Sequence, residues 1–514
     1  MRPKSDLQEL INSLSPTERA YYRKFAKRHY RENSTFLKLF GEMEKRSGEE
    51  KYLESEIKTV FKDEKFVKQL PVVKIYLYNN ILKSLNLYYT EDNIDLKLGQ
   101  MINNAGILYR RELYDQCISM ISKAKSLAEK FDKPVKLLEA IQIERLALRV
   151  NTPLNEVSNE LMNNYNEEQE VLTRIKNISD YRKLYDMMVI HATAKGVTAG
   201  EGRQNTFEKL LANRMLKDYS NARYFQSKVI FLLMHCFINN LNGNKSRAYK
   251  YGMECLELFD EAQNNKLIAV YEYILILQEL MQITYSFGKP DDSEIYFTRL
   301  QTEQDKLLVN SPGKVKNFLK VRTLMGRLNI NSARGVYEKN LEVIRELVEV
   351  SGRNEDSSFR DEIIVTDFIA SAVYFTLSMY NESVHHINRI FNSKAFELRE
   401  DIQVSCRIIN LILHYELGSM SSLEYYTRST YRYLKKRKKL NRFEKLVFEF
   451  LKNAQRINDE SELRTLFKET RFSLKKAANE EPGLLQVIDL DAWLESKLSK
   501  VPYLDIINKK NKKH

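Results

Sequence analysis

The stretch Tyr374-Phe-Thr-Leu-Ser-Met-Tyr-Asn-Glu-Ser-Val-His-His-Ile-Asn-Arg-Ile390 has the pattern of a turn followed by the second helix of a helical hairpin. Apolar or small residues at Tyr380, Ser383, Ile387 and Ile390 follow a three-four-three spacing, which places one stripe of an α-helix against a neighbouring helix. The stretch therefore predicts a hairpin whose second helix begins near Tyr380.

The same spacing recurs in seven other segments, so the sequence predicts a series of hairpins. The clearer copies are Tyr114/Cys117/Ile121/Ala124, Leu154/Val157/Leu161/Asn164, Tyr337/Asn340/Ile344/Leu347 and Met420/Leu423/Thr427/Thr430. The weaker copies are Lys245/Ala248/Gly252/Cys255, Pro290/Ser293/Phe297/Leu300 and a shifted segment near Asn205 with Phe207, Leu210 and Leu211. Successive copies begin 40 to 51 residues apart, which favours one repeated supersecondary unit.

Glycine marks the turn of four of these hairpins. Gly243, Gly288, Gly335 and Gly418 each stand two residues before the first stripe position, in a chain that has only 16 glycines. Because glycine adopts positive φ angles without a steric penalty, the pattern predicts a left-handed backbone at this point of the turn.

The hairpins resemble tetratricopeptide repeats. The resemblance is carried by the turn glycine, the aromatic residue two positions later and the small residues that follow, as in Gly335-Val-Tyr337 and Leu417-Gly-Ser-Met-Ser-Ser-Leu423. The period exceeds the roughly 34 residues of that family, and its early tryptophan and closing proline are missing. The resemblance therefore implies a right-handed α-solenoid of degenerate, elongated repeats.

A second resemblance spans nearly the whole chain. The segments Leu14-Ser-Pro-Thr-Glu-Arg-Ala-Tyr-Tyr-Arg-Lys-Phe25, Leu37-Lys-Leu-Phe40, Leu82-Lys-Ser-Leu85 and Trp493-Leu-Glu-Ser-Lys-Leu498 are together similar to a group of bacterial helical-repeat proteins, mostly uncharacterised. These motifs describe helix packing. The resemblance implies no particular activity.

Composition and helical periodicity predict an all-α fold of 514 residues. We expect an N-terminal helical module at 1–70, a well-buried connecting helix within 71–92, a solenoid of about eight hairpins at 93–434 and a C-terminal helical cap with a basic tail at 435–514. Ser15-Pro-Thr-Glu18 has the pattern of a helix start with a capping box. Trp493 is predicted to fill the cap as an aromatic plug.

The sequence contains no HExxH, paired CxxC or Walker motif, so we expect no enzymatic activity, no metal and no cofactor. His385 and His386 are adjacent and point about 100° apart on a helix, which favours an ordinary surface pair over a metal site. Cys117 and Cys255 occupy stripe positions and are predicted core residues. The first residues lack a signal-peptide pattern and the apolar runs are short, so we expect a cytoplasmic protein without membrane insertion.

The net charge of +13 is concentrated in three segments. Residues 1–31 hold eight Lys or Arg against three acids, 428–445 hold nine against one, and 505–514 hold four against one. Such patches attract anionic partners, although lysines also complement helix C-termini and aid solubility. The candidate anion-binding residues are Arg23, Lys24, Lys27, Arg28, Lys435, Lys436, Arg437, Lys438 and Lys439.

By analogy with tetratricopeptide hairpins, the first helix of each hairpin lines a concave face. Counting back five residues from each stripe predicts a face with Tyr109, Arg149, Asn240, Tyr285, Ser332, Phe375 and Tyr415. These residues could anchor a peptide, or they could pack between repeats. The sequence thus favours a non-catalytic interaction or scaffold protein that binds a protein or peptide. The alternative is a nucleic-acid-binding or ribosome-associated regulator, and the oligomeric state stays open.

Overall fold

A computed structural model describes most of the chain. The described residues are 6–29, 34–46, 54–91, 93–153, 156–194, 207–261, 265–308, 313–352, 360–393, 400–436, 442–457, 459–480 and 488–511. Leu154 and Asn205 of the predicted repeats lie outside these ranges. Contacts divide the chain into a first unit, Met1–Leu172, and a second unit, Thr173–His514. Within the described ranges every regular element is helical, which confirms the all-α prediction.

The first unit begins with five helices around one apolar core. They are α1 (Asp6–Ser13), α2 (Pro16–His29), α3 (Thr35–Lys45), α4 (Glu54–Val60) and α5 (Leu70–Tyr89), with a 3-10 turn at Lys65–Gln69. The predicted capping box is confirmed, because the Ser15 N–H donates to Glu18 Oε2 (2.6 Å) and the Glu18 N–H donates to Ser15 Oγ (3.3 Å). Tyr22 and Phe40 are buried in the core with their rings 4.6 Å apart.

The prediction that α5 is well buried is wrong. The helix is apolar around most of its circumference, so its sequence does not define which side faces the core. Leu70, Leu77 and Ile81 form the buried stripe, whereas Val72 is 48% exposed and Tyr76 is 59% exposed. The connecting helix therefore presents a broad apolar face outside the core of its own unit.

The first unit continues with hairpin helices α6 (Ile94–Arg110), α7 (Tyr114–Lys130) and α8 (Pro134–Asn151), and α9 (Val157–Ala194) begins in it. Helix α7 packs against both α6 and α8. Its predicted stripe residues Cys117, Ile121 and Ala124 are all completely buried. The three-four-three spacing therefore identified the buried side of α7.

The second unit contains five further helical hairpins and the C-terminal helices. The hairpins are α10 (Phe225–Leu241) with α11 (Lys245–Asp260), α12 (Val270–Ser286) with α13 (Pro290–Leu308), α14 (Gly313–Ala333) with α15 (Asn340–Gly352), α16 (Arg360–Thr376) with α17 (Tyr380–Asn392), and α18 (Glu400–Glu416) with α19 (Met420–Lys436). The closing helices are α20 (Arg442–Ala454), α21 (Glu460–Glu480), α22 (Leu490–Ser499) and α23 (Tyr503–Asn511). Short helical turns lie at 207–211, Arg214–Lys217, Tyr219–Asn221, Asn265–Ile268 and Tyr337–Lys339.

Each hairpin of the second unit packs its two helices together and then contacts the next hairpin. The predicted stripes are buried at Ala248 and Cys255 in α11, at Phe297 and Leu300 in α13, and at Ile387 in α17. All four cysteines of the chain are buried and none forms a disulfide, so the core prediction for Cys117 and Cys255 is confirmed. None of the described helices combines the length and hydrophobicity that crossing a membrane requires.

Seven turns between successive helices share one backbone geometry. A residue with positive φ stands two positions before the second helix begins, or two before its 3-10 first turn, and these residues are Glu112, Asp132, Gly243, Gly288, Gly335, Ser378 and Gly418. The next N–H in each turn donates to the carbonyl oxygen five residues earlier, at 2.8 to 3.1 Å. This bond defines a Schellman motif, and it confirms the left-handed backbone predicted from the four glycines.

Replacing Gly418 by alanine tests the turn geometry without a steric effect, because a Cβ at this position would meet open space. We expect Gly418→Ala to lower the free energy of unfolding by about 1 kcal/mol, since only the left-handed backbone disfavours alanine there. In Gly106→Ala, inside α6 and also open, we expect a gain of about 0.5–1 kcal/mol. Urea unfolding followed by circular dichroism measures both, and changes of the same sign would contradict this account of the turns.

Candidate interaction surface

The predicted partner-facing residues do not form one exposed face. Six of the seven lie five residues before a second helix or its 3-10 first turn, near the turn of their own hairpin, whereas Arg149 lies eight residues before α9. The Tyr109 ring lies 5.7 Å from that of Tyr114, and the Phe375 ring lies 5.6 Å from that of Tyr380. This contact accompanies the Schellman motif, in which the chain reverses and brings the two positions together. These aromatic contacts are therefore made within hairpins, whereas the sequence had left open a peptide-binding face or packing between repeats.

Phe375 and Tyr415 belong to the core of the second unit. Phe375 is only 1% exposed, so it is a core residue and not part of an open peptide-binding face as the sequence suggested. The Tyr415 ring packs 5.9 Å from both Phe450 and Trp493, and burial raises its pKa to about 12. Both residues are covered by helices that follow the last hairpin.

The other predicted surface residues have separate surroundings. Arg149 is exposed and donates to the hydroxyl of Tyr165 (3.2 Å). Ser332 accepts a hydrogen bond from Asn340 (3.0 Å), while Tyr285 is half-buried and its burial raises the pKa of its hydroxyl. Arg149 and Ser332 are thus bonded within their own helix pairs, and the three residues do not share one surface.

Asn240 is the predicted surface residue that contacts a perturbed acid. Its side-chain N–H₂ group donates to Glu279 Oε2 (3.0 Å), on the neighbouring first helix α12. Burial raises the pKa of Glu279, although the bond from Asn240 and the nearby Arg322 lower it in part. Asn240 thus connects two successive hairpins.

The N-terminal basic residues lie on α2. Arg23 forms an ion pair with Glu44, and its guanidinium lies 5.9 Å from the centre of the Phe40 ring. Its charge is therefore paired within the N-terminal helices. Lys24, Lys27 and Arg28 are exposed in the second half of the helix. That position also complements the helix dipole, so their binding of nucleic acid or a ribosome stays a prediction.

The second basic segment begins at the end of α19. Lys435 and Lys436 are exposed in the last turn of that helix. Arg437, Lys438 and Lys439 lie outside the described residues. The exposure of Lys435 and Lys436 alone does not test whether this segment binds an anionic partner, so the anion patch stays a prediction.

The prediction of a surface histidine pair is half wrong. His385 is exposed, but His386 is buried next to Ile387 and its Nδ1 lies 2.8 Å from Asp367 Oδ1 on α16. The Tyr374 ring stacks on His386 at 5.3 Å, and Arg389 Nε lies 3.5 Å from Asp367 Oδ2. The buried stripe of α17 is wider than the spacing indicated, so the histidine joins the contact between the two helices of its hairpin.

The helices α22 and α23, here called the C-terminal strap, lie across the turns of three successive hairpins. Helix α22 lies against the last hairpin, where the Trp493 Nε1–H donates to Glu416 Oε1 (2.5 Å) and Lys497 Nζ lies 2.6 Å from Glu416 Oε2. The Trp493 ring packs 5.7 Å from Phe450, and the residue is 3% exposed. Trp493 therefore fills the C-terminal core, as its predicted role of plug requires.

Helix α23 lies against the two preceding hairpins. The Tyr503 ring packs 5.4 Å from Phe375, and the Asp489 N–H donates to the Tyr503 hydroxyl (3.0 Å). Burial raises the pKa of Tyr503, and the nearby Asp489, Tyr337 and Tyr380 raise it further. Tyr503 thus occupies a cleft between aromatic residues of the turns α14/α15 and α16/α17, and Ile506 on the next turn of α23 is also buried.

The far end of α23 is held by polar contacts. Asn508 touches the turn glycine Gly335, with its amide nitrogen 3.4 Å from the Gly335 oxygen. Lys510 Nζ lies 2.8 Å from Asp489 Oδ2 and 2.7 Å from Asp491 Oδ2. A residue of the predicted basic tail is therefore neutralised by the chain itself.

Asp491 connects the two helices of the strap. Partial burial raises its pKa, but the hydrogen bonds and charges of Arg471 and Lys510 outweigh burial and bring the pKa to about 2. The Arg471 Nε–H donates to Asp491 Oδ1 at 2.6 Å. The carboxylate is thus held charged between two cations from different helices.

No family model, curated protein or solved structure matches this chain. The candidate site is therefore defined by its geometry alone, namely the hairpin turns of the second unit and the strap that covers them.

Sequence reasoning missed the site residues of α23. Tyr503 is followed by Ile506, Ile507 and Lys510 at three, four and seven residues, the spacing of one helical stripe. They lie within the segment predicted only as a helical cap with a basic tail. The available signal was this periodicity after Pro502. Its target could not be found, because the contacted turns lie more than 120 residues earlier in the chain.

Asp491→Asn tests the charge held between the two strap helices. Because the folded pKa is about 2 and the ordinary value is 3.8, the carboxylate stabilises the fold fully above about pH 5 and loses this effect as the pH falls through 2. We expect the substitution to lower the free energy of unfolding by about 2 kcal/mol at pH 7 and by almost nothing near pH 2. Urea unfolding at both pH values measures the change. Asp505→Asn, on the exposed side of α23, is the control, and a loss that does not depend on pH would rule out the charge as its cause.

Gly335→Ala and Asn508→Ala test whether α23 rests on the hairpin turn. Gly335 has a φ of 74°, and a Cβ there would lie 2.5 Å from Asn508 Oδ1, so alanine meets both strain and a clash. We expect Gly335→Ala to destabilise the protein by roughly 1 kcal/mol more than Gly418→Ala does. This excess should disappear in the Asn508→Ala background, as a double-mutant cycle would measure. Strictly additive effects would show that the contact does not form.

Proposed function

We propose that this protein is a non-catalytic interaction protein that binds a protein or peptide partner at the turns of its helical hairpins. We further propose that the hairpins stack as a right-handed α-solenoid of degenerate, elongated tetratricopeptide-like repeats, and that the protein is cytoplasmic. The four cysteines are buried and form no disulfide, which supports a reducing compartment.

The repeated turn geometry supports the repeat interpretation. Seven turns have a left-handed backbone at the same position and the same backbone hydrogen bond, although only four of the seven residues at that position are glycine. Such a shared geometry is expected when one supersecondary unit is repeated and its sequence has diverged. Repeats of this kind present a continuous row of similar turns to a partner.

The single observation that carries the proposal is the C-terminal strap. It places a helix on the turns of the second unit, with Tyr503 against Phe375 and Asn508 against Gly335. A surface that holds one helix through an aromatic anchor and flanking polar groups has the properties of a helix-binding groove. This supports the hairpin turns, together with the predicted residue Phe375, as the partner-binding surface.

Photo-crosslinking along the turns tests the proposal. We expect benzoyl-phenylalanine placed in the full chain at Met420, which is 47% exposed at the start of α19, to give one dominant protein adduct in native lysate. The exposed turn residue Asn244 is a second probe position. Mass spectrometry of the adducts identifies the partner.

The control probe is placed at Phe472, which is 74% exposed on α21 and far from any hairpin turn in sequence. A partner that binds at the turns should be captured at Met420 or Asn244 and not at Phe472. Identical adducts at all three positions, or none at any of them, would count against binding at the turns.

A further inference from the structure

The strap consists of two helices that are held in different ways. Helix α22 is part of the core, because Trp493 packs against Tyr415 and Phe450 and bonds to Glu416. Helix α23 follows after Lys500, which has a φ of 57°, and the exposed residues Val501 and Pro502. Three residues outside any helix thus separate the integral α22 from the short α23.

The nine residues of α23 are seated in a cleft by a small number of side chains. Tyr503 and Ile506 are each 5% exposed, while Asp505 and Lys509 on the opposite side are exposed. The helix is therefore amphipathic and contributes one narrow stripe to the core. Its removal would uncover Phe375 and leave the paired helices of the neighbouring hairpins in place.

The cleft recognises each anchor of α23 by a distinct chemistry. Phe375 contacts the aromatic ring of Tyr503, and the backbone N–H of Asp489 donates to its hydroxyl. Asp489 and Asp491 both accept from the Lys510 ammonium, so the end of the cleft is acidic. These contacts match the way in which grooves bind amphipathic helices through anchors on successive turns.

We propose that this cleft is a binding site for a helix of a partner protein, and that α23 occupies it in the isolated chain as an internal competitor. The partner helix would carry an aromatic residue, an aliphatic residue three positions later and a Lys or Arg seven positions later. This inference rests on the proposed function and specifies the partner's chemistry. A tethered competitor acts at an effective concentration of about millimolar for a short linker, so it suppresses weaker ligands.

The test uses the full chain and a fluorescein-labelled peptide of residues 501–514. In the double variant Tyr503→Ala/Ile506→Ala the internal helix loses both buried anchors. We expect the peptide to bind this variant at least tenfold more tightly than it binds the wild type, as measured by fluorescence anisotropy. The matched control Asp505→Ala/Lys509→Ala changes exposed residues of the same helix and should bind like the wild type.

A second variant keeps the test valid if the double variant does not fold. Lys510→Glu leaves the apolar anchors intact and places a third acid beside Asp489 and Asp491, so the internal helix is weakened by repulsion. Peptide binding should again increase, and its affinity should fall with added salt because the peptide lysine binds an acidic cleft. The peptide with Tyr503→Ala should not bind either chain.

Three outcomes would overturn the proposal. The first is equal peptide affinity for wild type and folded variants, which would make α23 a structural cap. The second is equally improved binding to the variants by the peptide that carries Tyr503→Ala, which would exclude the aromatic pocket as the binding site. The third is a wild-type dimer that the free peptide dissociates, which would show exchange of α23 between copies. A specific adduct at Met420 together with any of these results would leave the proposed function intact and remove this inference alone.

Discussion

The turn between two helices is the constraint on which the rest of the structure depends. At Gly418 and at Ser378 the backbone turns left-handed, and the following N–H closes a bond to the carbonyl five residues back. This geometry sets the residue at which the second helix starts, and therefore which side of it meets the first helix. Serine accepts the turn at a conformational cost that glycine avoids, so hairpin packing must outweigh this cost in α16/α17.

Local pattern was sufficient wherever a helix is apolar on one side only. The stripes of α7 and α17 could be predicted because the exposed side of each helix carries polar and charged residues, such as Lys123 in α7 and Glu382 in α17. The same reasoning failed for α5, whose apolar residues surround the helix and whose buried stripe even includes Lys74. Periodicity indicates a buried side only when the opposite side is polar.

The candidate site could be predicted only in fragments, because its parts are distant in sequence. Gly335 was predicted as a turn residue, Phe375 as part of a concave face and Trp493 as a plug. No local pattern connects them with Tyr503 or Asn508. Charge was misleading for a related reason. The charge count left the C-terminal lysines either to an anionic partner or to solvent, whereas Lys510 is paired with Asp489, just before α22, and Asp491, in its first turn. The net charge of a segment does not show which oppositely charged side chains the fold places beside it.

The position of the cleft follows from the hairpin fold itself. Phe375 lies five positions before α17 and packs over its own turn, while Tyr337 begins the second helix of the preceding hairpin. Both therefore lie close to Tyr503. Glycine at position 335 leaves room there for a side chain from another helix, which a Cβ would exclude. The residues that fold the hairpins are thus the residues that hold α23, so replacing α23 by another helix requires no rearrangement of the hairpins. A preformed surface of this kind avoids the ordering cost that a flexible groove would add to binding.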